Sequence, residues 1–135
     1  MPITDAMRAR HVVRQYLSTP LPDDVIAALR SRIEENNRAH GTDIRLVTGD
    51  ARVFGPLWGT VRARSVRNCL IMSGPDAPDL DERLGYGGAD LMLAAQDLGL
   101  NTWWIGGTFS KRAAARVSGA TGRIVAVVAL GYGAT

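Results

Sequence analysis

Apolar positions along the chain follow two rhythms, one of helical turns and one of short strands. Val25, Ile26, Leu29 and Ile33 recur at intervals of three and four, which sets them on one stripe of a helix. Pro22, Asp23 and Asp24 suit its first turn, where N–H groups lack partners and the positive end of the helix favours acids. Gly41, after His40, supplies the stop. The strongest helical pattern covers residues 80–98, with Leu84, Leu91, Met92, Ala95 and Leu98 on one broad face. Gly85, Gly87, Gly88 and Ala89 permit close packing in its first half, and Gly99 ends it. A further helix is expected from near Ser110, whose hydroxyl suits an N-cap. Thr4 and Asp5 can cap an N-terminal helix with Ile3, Met7 and Arg10 on successive turns, and residues 51–59 are weakly helical.

Residues 44–48 alternate apolar with polar and predict a strand. The runs Asn68-Cys69-Leu70-Ile71-Met72 and Ile124 to Leu130 are continuously apolar, as in strands covered on both faces. Residues 101–105 give another strand, leading into Gly106-Gly107-Thr108, and residues 76–81 read as a loop. Strands and helices interleave without repeat or linker, which predicts a single α/β or α+β sandwich.

Composition narrows the function classes. At 135 residues and 46% hydrophobic content the chain can bury one core. No stretch approaches the roughly 20 apolar residues of a membrane span, and the first residues lack the blocks of a signal peptide, so a cytoplasmic protein is expected. Cys69, the single cysteine, sits in an apolar run and is expected to be buried and unreactive. Sixteen cations against thirteen anions is too slight an excess for a dedicated nucleic-acid binder. The cations are clustered, however. Arg8, Arg10, His11 and Arg14 lie together, as do Arg62, Arg64 and Arg67, which fits local binding of a phosphate-bearing small molecule.

Familiar catalytic signatures are missing from the sequence. It has no G-x-S-x-G elbow and no P-loop, and His11 and His40 are too isolated to suggest a metal set, which counts against a hydrolase or zinc enzyme. Glu34, Glu35, Asp79, Asp81 and Glu82 read as solvated charges. Two features remain. Arg10 and Arg14 are four residues apart on a helix and can converge on one anion, or can simply be surface arginines. Gly106-Gly107 joins a strand to a helix, so either a flat ligand approaches the backbone there or the turn needs glycine's unusual dihedrals.

Read in order, these segments resemble the FMN-dependent nitroreductase family, in its short, divergent branch. The opening Ile3-x-x-Ala6-Met7-x-x-Arg10-His11-x-Val13-Arg14-x-Tyr16, followed by Pro20-Leu21-Pro22, is similar to the family's I-x-x-A-I-x-x-R-R/H-S-V-R-x-F/Y. Gly85-Tyr86-Gly87-Gly88-Ala89, then Leu98-Gly99-Leu100-Asn101-Thr102-x-Trp104-Ile105-Gly106-Gly107, resembles its central helix and flavin-facing turn, and Val125 to Gly133 its closing strand. The resemblance implies a three-layer α+β sandwich with a mainly antiparallel sheet, as one domain over residues 1–135 that stops short of the C-terminal extension of many relatives. It implies that Arg10, His11 and Arg14 contact the FMN phosphate or ribityl chain and that Gly106 and Gly107 lie against the isoalloxazine ring. Val12 stands where the family usually has serine, so weaker phosphate binding is expected.

The implied reaction passes a hydride from NAD(P)H through FMN to a small-molecule acceptor such as a nitroaromatic or quinone, in a homodimer, with no catalytic side-chain acid and no metal. The cofactor carries such chemistry while protein supplies position and electrostatics. Two other readings stay open: a non-catalytic flavin- or nucleotide-binding protein of the same fold, and a small anion- or nucleic-acid-binding module.

Overall fold

The computed structural model describes residues 19–50, 67–106 and 109–132 of the chain. Helix α1 (Asp23–His40) starts at extended Pro22 and ends at Gly41, whose φ of 64° is the left-handed conformation expected of a glycine stop. Val25, Leu29 and Ile33 are its buried stripe. Beyond Gly41 the Asn37 side chain takes over as a template. Its Nδ2 donates to the Ile44 carbonyl at 3.0 Å and its Oδ1 accepts from the Ile44 N–H at 2.8 Å, which ties the helix end to the next strand.

Four strands follow: β1 (Arg45–Val47), β2 (Asn68–Gly74), β3 (Asn101–Ile105) and β4 (Arg123–Gly131). They form one sheet in the order β1-β2-β4-β3, and each neighbouring pair is antiparallel. The two central strands are the two continuous apolar runs, because only they have helices on both faces and neighbours on both edges. The β2–β4 register slips between Met72 and Ser73, so that Val125 is an extra residue on β4.

Helices α1 and α2 (Leu80–Asp97) pack on one sheet face around Leu29, Leu70, Leu84, Leu91 and Val128. Helix α3 (Lys111–Ser118) covers the other, over Cys69, Ile71, Ile124 and Val127. This is the expected layered α+β arrangement. Cys69 is fully buried, and burial, aided by the nearby Asp50 charge, pushes its thiol pKa up.

Helix α2 begins at Leu80, where the helical pattern predicts it, so the loop expected over residues 76–81 ends two residues early; Leu80 is fully buried and its N–H donates to the Ala77 carbonyl. Strand β1 is shorter than residues 44–48, since Ile44 is bonded to the Asn37 side chain. The expected N-terminal helix and the weak helix over 51–59 lie outside the described residues. Among the described residues, no helix is long and apolar enough to cross a membrane.

Candidate functional site

Strand β3 delivers the turn at Gly106 and splits two adjacent tryptophans between the faces of the sheet. Side chains alternate along a strand. Trp103 therefore packs into the α3 core together with Ile105, while Trp104 emerges on the α2 side and is 36% exposed. Helix α2 makes room for it with glycine. A Cβ at Gly88 would lie 2.7 Å from Trp104 Cζ3 and 3.0 Å from Met72 Cε, distances that packed atoms do not tolerate. Gly88 is thus fixed by the indole seated on it.

Gly106 is a different kind of glycine. It is exposed and its φ is outside the left-handed region, which among the described residues is occupied by Gly41, Gly49, Gly99 and Gly119. Of the two readings of this turn, the one that needs unusual dihedrals does not hold at Gly106, and Gly107 lies outside the described residues. Packing among the described residues does not demand glycine there either, since a Cβ would meet none of them closer than Trp104 Nε1 at 3.9 Å. What remains is bare backbone beside an indole N–H that has no hydrogen-bond partner among the described residues. After the turn, Ser110 caps α3 as expected, with Oγ accepting from the Ala113 N–H at 3.1 Å. Backbone without a Cβ and a donor beside it are what a flat ring with an acceptor at its edge would need.

Arg10, His11, Val12, Arg14 and Gly107 lie outside the described residues. Of the residues assigned to the site by resemblance, the structure thus places Gly106. Sequence reasoning passed over Trp104 and Gly88 as site residues, although both stand in the quoted motif. It also passed over a polar bracket between α1 and α2. Asp90 on α2 accepts from Arg32 Nε and Nη2 and from Asn36 Nδ2 on α1, each at 2.7 Å. The Arg32 hydrogen bond, helped by Asn36 and by the charges of Arg32 and His40, holds the Asp90 carboxyl below its usual pKa in spite of desolvation. Beside it, Tyr86 of α2 stacks on His40 of α1 with ring centroids 6.2 Å apart.

Two depressions among the described residues have a central arginine already paired. A cleft of about 610 Å³ between the ends of β2 and β4 contains Asp43, Asp76 and Arg123, but Arg123 is paired with both Asp76 and Asp81. A groove of about 270 Å³ between α1 and β1 contains Asn37 and Arg45, and Arg45 is held by Asp43 and the Ser118 carbonyl. Among the described residues no cluster of His, Cys, Asp and Glu is arranged to hold a metal ion.

Comparison with known proteins agrees with this geometry. A family model described as "Putative TM nitroreductase" matches residues 2–135. The fold is shared with a "putative nitroreductase in complex with fmn" from Desulfovibrio desulfuricans, at TM-score 0.74 and 17% identity, over 100% of this chain and 88% of that one. An FMN-dependent nitroreductase from Clostridium difficile R20291 matches at TM-score 0.72 and 10% identity, over 96% and 87%. A "Putative NADH dehydrogenase/NAD(P)H nitroreductase" from Bacteroides thetaiotaomicron matches at TM-score 0.73 and 19% identity, over 98% and 87%. No curated protein matched the sequence. With the family model matching residues 2–135, the chain belongs to the nitroreductase family.

Proposed function

We propose that the chain is an FMN-dependent oxidoreductase that takes a hydride from NAD(P)H and delivers it to a small-molecule acceptor such as a nitroaromatic or a quinone. The observation that carries this reading is Gly106, where neither backbone conformation nor packing among the described residues explains a glycine and where bare backbone lies beside the Trp104 indole N–H. Family membership and a fold shared with an FMN complex support the same cofactor.

Bound FMN would supply the hydride chemistry. The chain's own residues bind and orient. Arg10 and Arg14, with His11, hold the phosphate by charge-assisted hydrogen bonds, and the segment at Val12 lacks the hydroxyl that would add one more. Gly106 and Gly107 let the ring lie against backbone. Helix α2 is the proposed homodimer face, since Gly85, Tyr86 and Ala89 are exposed on it and small residues allow a second helix to come close.

The test is titration of purified protein with FMN and with riboflavin, followed by NADPH oxidation in the presence of a quinone. Arg14→Ala should weaken FMN binding by about 1.5–3 kcal/mol, the scale of a hydrogen bond to a charged group, and leave riboflavin binding nearly unchanged. Equal losses for both ligands would remove Arg14 from the phosphate site. Flavin binding without turnover would leave a non-catalytic flavoprotein, and protein that binds no flavin but is retained by nucleic acid at physiological salt would replace the reading altogether.

A further inference from the structure

We infer that Trp104 is the specificity-determining wall of this ring site, binding a flat conjugated ring that carries a hydrogen-bond acceptor at its edge. The inference rests on the flavin reading above and adds a residue and a ligand chemistry to it. Trp104 and Tyr86 are the only large hydrophobic side chains exposed among the described residues. Tyr86 is occupied by its stack on His40. Trp104 has a prepared seat and a free side. Gly88 seats the six-membered ring of the indole, with Cζ3 2.7 Å and Cη2 3.6 Å from where its Cβ would stand, while Nε1 lies 3.9 Å from where a Cβ on Gly106 would stand.

An indole offers two things to a ligand in that position. Its π surface favours another aromatic ring in offset or edge-to-face contact, and its N–H donates a hydrogen bond. The backbone of Gly106 is bare beside it, so a ring can reach both at once. Isoalloxazine has this chemistry, and so do quinones and nitroaromatics; a small inorganic oxidant does not. Strand alternation provides the internal control, because Trp103 is adjacent in sequence but packs on the opposite face.

The experiment compares wild type with W104A, W104F, G88A and W103F, first for folding by circular dichroism and thermal unfolding. Dissociation constants for FMN and riboflavin follow, then KM for benzoquinone and for ferricyanide at saturating FMN. If the ring is the cofactor's, W104A weakens FMN and riboflavin alike by about tenfold, the scale of a lost aromatic contact. W104F, which keeps an aromatic ring but lacks the N–H and the five-membered ring that carries it, falls between, and W103F stays at wild type. If the ring is the acceptor's, flavin affinity holds while KM for benzoquinone rises in W104A and KM for ferricyanide does not. G88A displaces the indole without deleting it and should follow W104A in either case. A folded W104A with wild-type values throughout overturns the proposal, as does an equal effect from W103F, which would mark a general disturbance of β3. A wild-type protein that binds neither flavin overturns the flavin reading and this proposal with it, and that result is read before any variant is made.

Discussion

Asp90→Ala removes the acceptor at the centre of the bracket between α1 and α2. Three hydrogen bonds disappear, two from Arg32 and one from Asn36. Bonds to charged groups are worth about 1.5–3 kcal/mol when well buried. The Arg32 side chain is 45% exposed, however, so water replaces its partner and its share falls to about 0.2–1 kcal/mol. Asn36 is buried but keeps its bond to the Arg32 carbonyl at 3.0 Å. The expected total is about 1–2 kcal/mol near neutral pH, or a fall of about 3 °C or more in the unfolding midpoint. The dependence on pH has a definite sign. Asp90 has a lower pKa folded than unfolded, so its contribution is complete above about pH 4 and is lost as pH falls through the folded-state value. Urea unfolding of wild type and variant, repeated from neutral into acid conditions, should show two stability curves that converge below about pH 4. A gap that persists unchanged through the acid range would mean the loss comes from packing and not from the charge.

Gly106→Val should leave apo-protein stability within about 0.5 kcal/mol of wild type, as for an uncrowded surface change, yet lose flavin binding; thermal unfolding and titration together check it. Gly122→Ala has no such freedom, because its Cβ would stand 2.3 Å from the Gly74 carbonyl oxygen, and a loss of about 1–3 kcal/mol or more is expected in urea unfolding. Cys69 should resist thiol reagents in the native protein and react only as fast as the chain opens, so rapid labelling under native conditions would contradict its burial.

Much of the fold was legible because its signals are local. Pro22, the acids after it and Gly41 bracket α1, Ser110 caps α3, and the two unbroken apolar runs became the two central strands. The start of α2 at Leu80 was legible as well, because the helical pattern begins there and Leu80 is buried in the core. The site was legible in part. Gly106 stands out as a glycine at a strand-to-helix turn, yet whether it serves conformation, packing or a ligand depends on its φ and on its surroundings, and neither is written in sequence. Seating Trp104 on Gly88 needs the register of β3 beside α2. Asp90 carried a faint signal as an acid next to Leu91 at the border of an apolar face, with Arg32 and Asn36 one helical turn apart on α1. Joining them required knowing that the two helices are neighbours.

The strand order also bears on how the chain reaches its native state. Strands β3 and β4 are separated only by α3, but β4 must then insert between β3 and β2, pairing residues as distant as Leu130 and Asn68. Closing such loops is entropically costly before the contacts form, so folding of a sheet with this connectivity is slow relative to a helical bundle of equal size. The segment from β3 through α3 to β4 can assemble early on short-range contacts. Docking of β2 along β4 is then the expected rate-limiting event, and the bulge at Val125 lies within the pairing that this step has to set.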